Sequence, residues 1–418
     1  MSAPAPLNDS ARDAPARLRM RTAFDACTLL IFAALAGCAT TSDRAVAGHT
    51  LTTEERRQLA LHSQDRPGVR VNVMKPSAQP MPLATPRTAL PLTWNLQGKS
   101  LSIDDYFQRQ PVMALLIAKD GEIVFERYQF GLTAEHRFLS NSMAKSITGL
   151  GMGLARADGF IPSFDALAQT YLPQLTGTAY GETTLQNLMN MASGVKYEET
   201  YKPGDDHGKF RLAANRVGVV LGAKAFNVRE APQGTRFHYA SIETSLIGAV
   251  LQTATRESLA RYLEPRLWQA IGAEGTATWF LDGAGLENAA GGVRALPRDY
   301  LRLGIVLAND GQRPDTGKQI IPREFLLDST DWHRVAAAFR PRNPSSYYGY
   351  SNYFWLENSR ARRFMLLGIH GQAIFVDPAH RLVMVHLAAS EHAKVGEGTM
   401  GNERAALWRA VVQHYGKW

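Results

Sequence analysis

The amino-acid sequence predicts an α+β fold, in which an antiparallel β-sheet is flanked by N- and C-terminal helices and carries an inserted, mainly helical domain. Strand-like apolar segments occur over residues 112–128 and again over 347–387, whereas the section between them, 161–291, is mainly helical in pattern. An amphipathic pattern over 403–414 predicts a closing helix. Strands at both ends of a helical section fit a single sheet with a helical insertion.

The first strand pair is the clearest local pattern. Apolar segments at 112–118 and 122–128 are joined by Lys119-Asp120-Gly121, and Asp-Gly at such a junction favours a tight hairpin. Ser142 then opens an apolar, glycine-containing stretch at helical spacing, which predicts a buried central helix. The other predicted helices are 53–62, 184–191, 242–255 and 297–309, and the other predicted strands are 347–357, 363–369, 373–376 and 381–387.

The N-terminal forty residues have the anatomy of a bacterial export signal. Three arginines at positions 17, 19 and 21 precede an apolar run over 26–36 that is too short to span a bilayer. The run ends in Leu-Ala-Gly-Cys, which resembles a lipoprotein box, so we expect cleavage before Cys38 and lipid attachment to it. Met20 is an alternative start. Because Ala39 follows Cys38, sorting rules favour the outer membrane, facing the periplasm.

These patterns divide the chain into four parts. Residues 1–37 form the predicted lipoprotein signal peptide, and 38–95 a tether or linker that wraps the body. Residues 96–160 and 290–418 together form the predicted α/β domain, and 161–289 the helical insertion.

Charge and cysteine content exclude several classes of function. The chain of 418 residues has a formal charge of +8, spread without dense basic runs, so nothing predicts a nucleic-acid partner. Its two cysteines are Cys27 and Cys38, and Cys27 lies in the segment expected to be removed. A cysteine nucleophile, a cysteine metal site and an internal disulfide are therefore excluded for the mature chain.

Ser142-Met-Ala-Lys145 is the leading catalytic candidate. A serine hydroxyl needs a base within hydrogen-bond reach, and positions i and i+3 share a helix face, so Lys145 can reach Ser142. Burial would lower the lysine pKa and free its amine to accept a proton. The structural alternative, without catalysis, is a helix-capping serine with a solvated lysine one turn later. A second match, Ser193-Gly-Val-Lys196, follows a helix and contains a glycine, which predicts a turn.

Two later segments offer partners for that pair. Tyr239 precedes the predicted helix at 242–255, where its phenol can shuttle a proton. Tyr350-Ser-Asn352 is a rival match, but it lies in an aromatic run that we interpret as pocket wall. The segment 366–372, Leu-Leu-Gly-Ile-His-Gly-Gln, is a glycine-edged strand that can lend an N–H to an oxyanion, with His370 and Gln372 as pocket residues or ordinary loop residues.

Together these motifs resemble the serine β-lactamase-related hydrolases, which include class C β-lactamases, penicillin-binding proteins, esterases and nylon-oligomer (6-aminohexanoate-dimer) hydrolases. Their order and spacing match over about 101–418, and the segment Glu198-Glu199-Thr200-Tyr201, the Trp355 strand and the 368–372 segment favour the nylon-oligomer hydrolase and esterase branch. The resemblance implies a β-lactamase/transpeptidase-like fold.

The resemblance also implies a role for each matching residue. Ser142 would be the acylated nucleophile, Lys145 its base and Tyr239 the proton shuttle. The backbone N–H groups of Ser142 and Ile369 would form the oxyanion hole. The implied substrate-pocket residues are Tyr201, with Tyr197 as its alternative donor to an amide leaving group, Trp355, His370 and Gln372.

The sequence departs from β-lactamases at their third motif, Lys-Thr-Gly, where Leu366-Leu367-Gly368 stands here. The cation that would hold a β-lactam carboxylate is missing, and Ser241 replaces the usual Asn. We therefore expect a small amide or ester substrate and no metal or organic cofactor. The alternatives are a β-lactamase or DD-peptidase, a silent binding or sensing lipoprotein, and a Ser-His-Asp enzyme using His370 and Asp377, although no Gly-x-Ser-x-Gly occurs.

Overall fold

A computed structural model describes residues 52–84 and 89–418, so the predicted signal peptide, Met20 and Cys38 lie outside the described residues. Within them the strands are β1 (Val71–Met74), β2 (Thr93–Leu96), β3 (Lys99–Ser102), β4 (Val112–Lys119), β5 (Glu122–Tyr128), β6 (Phe138–Leu139), β7 (Ala277–Phe280), β8 (Val293–Ala295), β9 (Gly349–Ser351), β10 (Phe354–Leu356), β11 (Phe364–Leu367), β12 (Ala373–Asp377) and β13 (Leu382–Ala388).

The same residues form twelve α-helices. They are α1 (Thr53–His62), α2 (Ile103–Arg109), α3 (Met143–Ala157), α4 (Ala168–Tyr171), α5 (Leu185–Met189), α6 (Asp206–Val217), α7 (Val219–Ala223), α8 (Ser241–Thr255), α9 (Leu259–Leu263), α10 (Pro297–Ala308), α11 (Arg323–Thr330) and α12 (Met400–Tyr415). In the described part of the chain, no helix is both long and apolar enough to cross a membrane.

The main sheet has seven antiparallel strands in the order β5-β4-β13-β12-β11-β10-β9. Strands from the two ends of the fold pair within this sheet, where Ile117 on β4 lies opposite Met384 on β13. The β4–β5 hairpin turns at Asp120 and Gly121, whose φ angles are +54° and +85°, as a tight Asp-Gly turn requires. The predicted α+β class is confirmed.

Helices cover both faces of this sheet. On one face α2 and α12 bury a core in which the rings of Trp408 and Phe375 lie 5.3 Å apart. On the other face α3 and α10 pack with the helical region into a larger core. Every residue of α3 from Met143 to Ala155 is buried. A side chain at Gly149 would come within 2.7 Å of the carbonyl oxygen of Asn352, so only glycine lets α3 approach that loop.

The predictions missed a second sheet, which has the order β1-β7-β8-β6. It draws β1 from residues predicted as a tether and β7 from residues predicted as a helical insertion. These strands are only two to four residues long, so their alternation is too brief to stand out in the sequence. Its strand β6 leads directly into Ser140, Asn141 and Ser142, so this sheet positions the start of α3.

The strand predicted over 347–357 is wrong in one respect, because the chain reverses inside it. Residues Asn352 and Tyr353, with φ angles of +46° and +71°, form a two-residue turn between β9 and β10. Asparagine accepts the left-handed conformation readily, but tyrosine gives no turn signal, and so the aromatic run reads as one strand. The reversal places Tyr350 opposite Trp355.

We predict that Asp377→Asn destabilises the fold. The Asp377 carboxylate is fully buried and accepts a 2.7 Å bond from Arg363 Nε, so the substitution removes the nearer of the two carboxylates that face this buried guanidinium and leaves only Glu357, 3.9 Å away. The expected loss is about 3–5 kcal/mol in the free energy of unfolding, measured by chemical denaturation. The control is Asp120→Asn, which removes an exposed pair with Arg381 and should cost about 0–1 kcal/mol. Equal losses in the two variants would contradict this account.

Candidate active site

The first turn of α3 carries the predicted nucleophile and base. Lys145 Nζ lies 3.0 Å from Ser142 Oγ, as the i to i+3 spacing predicts. Ser142 is the N-cap of α3, yet its side chain makes no capping hydrogen bond. The helix-capping alternative is therefore wrong, because the hydroxyl contacts the lysine amine instead of the backbone.

Lys145 is enclosed and has few partners. Its Nζ also lies 2.8 Å from the carbonyl oxygen of Ala290, in the segment that leads to β8. Burial lowers the pKa of the Lys145 ammonium to about 8, against the opposing effect of the negatively charged Glu199. A neutral amine can donate one N–H to the Ala290 carbonyl and direct its lone pair at the Ser142 hydroxyl. The arrangement suits a general base.

Tyr239 completes the cluster from the residue pair that precedes α8. Its ring centroid lies 5.0 Å from Lys145 Nζ, and the Ser142 side chain acts on the pKa of its phenol. Burial, followed by the negative charge of Glu199, raises the pKa of the Tyr239 phenol well above its usual value. The phenol therefore stays protonated at neutral pH, so it is suited to pass on a proton and unsuited to act as the resting base.

The two N–H groups predicted for the oxyanion hole are held by adjoining segments. Asn141 Nδ2 donates to the carbonyl oxygen of Ile369 at 3.1 Å, which ties the end of β11 to the residue before Ser142. The N–H groups of Ser142 and Ile369 have no hydrogen-bond acceptor among the described residues. Two unsatisfied donors on tied segments are what a developing oxyanion requires.

Gly368 allows this close approach. A side chain at Gly368 would lie 2.6 Å from the carbonyl oxygen of Ser140 and 3.1 Å from the Cβ of Asn141. Any other residue would push β11 away from the start of α3. The glycine-edged strand predicted from the sequence therefore serves a packing need at this position.

Glu199 is a buried carboxylate at the centre of the site. Its oxygens accept the N–H of Ser241 at 2.6 Å, the hydroxyl of Ser241 at 2.6 Å and the hydroxyl of Tyr201 at 2.8 Å. His207 lies 3.8 Å away. Although burial acts in the other direction, His207, Lys145 and these hydrogen bonds together lower the pKa of Glu199, which stays ionised. Glu199 links the loop that carries Tyr201 to the segment that carries Tyr239.

Tyr201 lies beside this carboxylate in a left-handed conformation, with φ of +62°. Asp205, the N-cap of α6, accepts the Tyr201 N–H at 2.8 Å and so holds the loop in that conformation. The Tyr201 hydroxyl donates a hydrogen bond to Glu199, which leaves the phenolic oxygen free to accept one. In this arrangement the oxygen suits a substrate N–H, and the predicted role of Tyr201 as a donor to a leaving group stays a prediction.

Aromatic side chains form a wall next to Tyr239. Trp355 stacks on Tyr239 with ring centroids 6.0 Å apart and an interplanar angle of 23°. Phe237 and Tyr350 pack behind this pair, 4.8 Å from each other. The rival Tyr350 is fully buried in the aromatic cluster, as the interpretation of this run as a wall predicts, while Trp355 remains partly exposed.

Two predicted pocket residues have partners within the protein. The Tyr197 hydroxyl contacts His207, and its ring is buried against Phe210 and Phe226. The Gln372 amide is buried and bonds both ways to the backbone of Ala388. These contacts do not support a substrate contact by either side chain, and the two roles stay predictions. The residue pattern alone does not reveal which face of a short loop a side chain takes.

His370 follows the proposed oxyanion residue but turns away from it. Its Nδ1 lies 2.9 Å from the carbonyl oxygen of Ser390, and Arg56 Nη1 lies 3.1 Å from Nδ1 and 3.2 Å from Nε2. Burial and the positive charge of Arg56 lower the pKa of His370 to about 4, so the imidazole is neutral. Its ring nitrogens are therefore engaged, and a direct substrate contact through them is not supported.

The competing catalytic readings fail on the same geometry. Ser193 is buried and donates to Glu243 at 2.6 Å, whereas Lys196 is exposed beside Glu230, so the lysine of the second Ser-x-x-Lys does not face its serine, as predicted. The predicted turn is wrong, because residues 193–196 contain no turn and Val195 instead forms a bridge with Arg229. Asp377 is engaged by Arg363 and His380 and makes no bond to His370, so these two residues form no Ser-His-Asp set with Ser142. Within residues 52–84 and 89–418, no group of three or more His, Cys, Asp or Glu side chains is placed to hold a metal ion.

The predictions from the sequence missed the residues that connect the separate segments of the site. Glu199 entered only as part of a family-like segment, and neither the Ala290 carbonyl nor the Asn141 amide was singled out. A main-chain carbonyl carries no residue-type signal. An Asn immediately before a helix-opening Ser is common for turn reasons alone, so its contact with Ile369, 228 positions away, had no local trace.

Comparison with known proteins agrees with the motif resemblance. A family model described as Beta-lactamase matches residues 102–406. The 6-aminohexanoate-dimer hydrolase of Paenarthrobacter ureafaciens is 25% identical over 287 residues, which is 66% of this chain and 72% of that protein.

Solved structures confirm the fold. A Bacillus anthracis structure that carries the name of a 6-aminohexanoate-dimer hydrolase aligns with a TM-score of 0.75 at 23% identity, over 89% of this chain and 97% of its own. A penicillin-binding protein from Bacillus halodurans aligns with a TM-score of 0.56 at 16% identity, over 73% of this chain and 99% of its own.

We predict that Glu199→Gln lowers the pKa of Lys145 below about 8, because the substitution removes the negative charge that raises it. The rate at which a fluorophosphonate labels Ser142 should rise with pH and level off above the lysine pKa, and in Glu199→Gln the rise should occur at lower pH. Glu198→Gln, at the exposed neighbouring position, is the control and should leave the midpoint unchanged. An unchanged midpoint in Glu199→Gln would refute the charge coupling.

Proposed function

We propose that this chain, which belongs to the β-lactamase family, is a serine hydrolase that cleaves a small amide or ester through an acyl-enzyme on Ser142. The observation that carries the proposal is the 3.0 Å contact between Ser142 Oγ and a buried Lys145 amine whose pKa is lowered to about 8. A lysine that served only solubility would be exposed and charged.

In the first step, Ser142 Oγ attacks the substrate carbonyl carbon while Lys145 Nζ takes the hydroxyl proton. The new C–O bond leaves a negative charge on the carbonyl oxygen. The N–H groups of Ser142 and Ile369, which have no other acceptor among the described residues, bind that oxygen.

In the second step, the bond from the carbonyl carbon to the leaving nitrogen or oxygen breaks. The proton now on Lys145 returns through the Tyr239 phenol to the leaving atom, and Tyr239 recovers a proton from the lysine ammonium. The high pKa of Tyr239 supports this role, because the phenol is protonated between turnovers.

Water then releases the acyl group. It attacks the ester carbonyl, passes a proton to the Tyr239 and Lys145 pair, and Ser142 regains its hydroxyl proton as the carboxylic acid leaves. Every group in this sequence belongs to the chain, so the mechanism uses no metal or organic cofactor.

An amide substrate is supported by the Tyr201 geometry. Because the Tyr201 hydroxyl donates its hydrogen bond to Glu199, the Tyr201 oxygen can accept one from a substrate. An amide offers an N–H for this bond, whereas an ester does not. The relative from Paenarthrobacter ureafaciens is named a 6-aminohexanoate-dimer hydrolase, and two amino acids are ordinarily joined through an amide. We propose a substrate of that size and bond type.

Turnover of β-lactams or cell-wall peptides is less well supported. Leu366 stands where the lactamase motif carries a cation, and its side chain is fully buried in the core. The imidazole of nearby His370 is neutral and bound elsewhere. A silent binding protein is the remaining alternative, and the intact Ser142, Lys145 and Tyr239 cluster argues against it.

We further propose that the mature protein is a lipid-anchored component of the bacterial cell envelope. The proposal rests on the N-terminal export pattern and on Cys38 at its end. Radiolabelled palmitate should be incorporated into the expressed full chain and not into Cys38→Ser; equal labelling of both would overturn the anchor.

We predict that Ser142→Ala abolishes both hydrolysis and the mass adduct left by a fluorophosphonate, and that Lys145→Ala lowers the labelling rate about 10²- to 10⁴-fold. Intact-mass spectrometry measures both. The matched control is Lys196→Ala in the second Ser-x-x-Lys, which should label at the wild-type rate. An adduct that persists in Ser142→Ala would show that a different residue is the nucleophile.

We predict that Tyr201→Phe lowers kcat/KM for a short amide by about three- to tenfold, the value of one hydrogen bond, and leaves the matching ester nearly unchanged. The comparison uses an amide and an ester of the same acyl group. Equal losses for the two substrates would contradict the acceptor role of the Tyr201 oxygen.

A further inference from the structure

Helix α1 lies outside residues 102–406, the stretch matched by the family model, yet it adjoins the active site. It packs against β6, the strand that leads into Ser142. Immediately after the helix, Gln64 donates to the carbonyl oxygen of Gly292 at 2.8 Å, and Asp65 pairs with Arg294 on β8 at 2.6 Å. One end of this segment therefore braces the part of the site that holds Ser142 and the Ala290 carbonyl.

The other end of α1 reaches the Ile369 side of the proposed oxyanion hole. Arg56 Nη1 lies 3.1 Å from His370 Nδ1 and 3.2 Å from His370 Nε2, so the guanidinium lies against the imidazole. Nδ1 also lies 2.9 Å from the carbonyl oxygen of Ser390 and carries the ring hydrogen toward it. Together these contacts fix the imidazole of the residue that follows Ile369.

His370 is held in an unfavourable backbone conformation, with φ of +62°. Its N–H donates to the carbonyl oxygen of Ala393, and its own carbonyl accepts the N–H of Ser390, each at 3.1 Å. Together with the side-chain contacts, these bonds hold the two peptides on either side of His370, and so they restrain the Ile369 backbone that carries the N–H. A side chain in the left-handed region needs such support to persist.

Arg56 differs from its neighbour Arg57 in what it contacts. Among the described residues, no carboxylate lies within ion-pair distance of Arg56, its Nε is buried without a partner, and Glu391 acts on it only at longer range. Arg57 is paired with Glu54, and its guanidinium lies 4.3 Å from the Phe130 ring centroid. The principal polar contact of Arg56 is therefore His370, whereas that of Arg57 is Glu54 on the same helix.

We infer that α1 is a positioning element of the active site, in which Arg56 fixes His370 and thereby aligns the Ile369 N–H with the Ser142 N–H. The inference rests on the proposed function, because it assigns Arg56 a role in oxyanion binding. Arg56 itself is a positioning residue that acts through His370 and contacts no reacting atom.

The test compares Arg56→Gln, Arg56→Lys and the matched control Arg57→Gln in the full-length protein. The readouts are the second-order rate of Ser142 labelling by a fluorophosphonate, kcat and KM for a short ester, and the thermal unfolding midpoint. We expect Arg56→Gln to lower the labelling rate and kcat about tenfold with little change in KM, less than the roughly 100-fold cost of losing an oxyanion donor outright. Arg56→Lys should recover part of the loss, and Arg57→Gln should match wild type.

A double substitution separates positioning from general destabilisation. If Arg56 acts through His370, then Arg56→Gln combined with His370→Ala should label no more slowly than His370→Ala alone. Additive losses, a loss equal to that of Arg57→Gln, or a rate loss that only follows a lowered unfolding midpoint would overturn the inference. If wild type is labelled at Ser142 and Arg56→Gln is labelled at the same rate, this inference alone is overturned. If wild type is not labelled at Ser142, the proposed function is overturned as well.

Discussion

The contact between Ser142 and the buried amine of Lys145 is the constraint on which the rest of the site depends. An amine in an apolar enclosure loses hydration, which favours its neutral form, but complete isolation would leave its hydrogens unsatisfied. The Ala290 carbonyl satisfies one of them, and the ionised Glu199 limits the fall in the lysine pKa. The pKa of the base therefore stays close to neutral pH, where the amine can both take and return a proton.

The fold brings four separate stretches of chain to that amine. Helix α3 supplies Ser142 and Lys145, the segment before β8 supplies the carbonyl, the end of β11 supplies Ile369, and the residues before α8 supply Tyr239. Each arrives on an element anchored in a sheet or buried in a core. Gly368 marks how closely two of them must approach, since even a methyl group there would strike the Ser140 carbonyl.

Much of this could be predicted from the sequence because it follows local rules. The β4–β5 hairpin came from Asp-Gly, and the central helix from apolar spacing. The pairing of Ser142 with Lys145 was predicted from the i to i+3 geometry of a helix and from the resemblance of the motif to a known family. The second sheet and the β9–β10 reversal were missed because their strands are short and Tyr353 is not a turn residue. The internal partners of Tyr197 and Gln372 were not foreseen because loop residues show no periodicity that would reveal their buried face.

Glu199 shows why side-chain networks resist prediction. It bonds Tyr201, two positions away, and Ser241, 42 positions away, and only the fold brings Lys145 under the influence of its charge. The same holds for Arg56 and His370, which are 314 positions apart. Such contacts are set by packing between elements, and each partner taken alone is an ordinary polar residue.

The central claim is that the pKa of Lys145 lies near 8, so that part of its amine population is neutral close to neutral pH. The most direct measurement is a pH titration, by NMR, of the ε-carbon of lysines labelled with ¹³C, with the Lys145 signal assigned by its loss in Lys145→Arg. The account predicts a midpoint near 8 for this signal, below that of the exposed lysines. A Lys145 midpoint at or above about 10.4, the ordinary lysine value, would contradict the account, because the amine would then be a permanent cation and unable to activate Ser142.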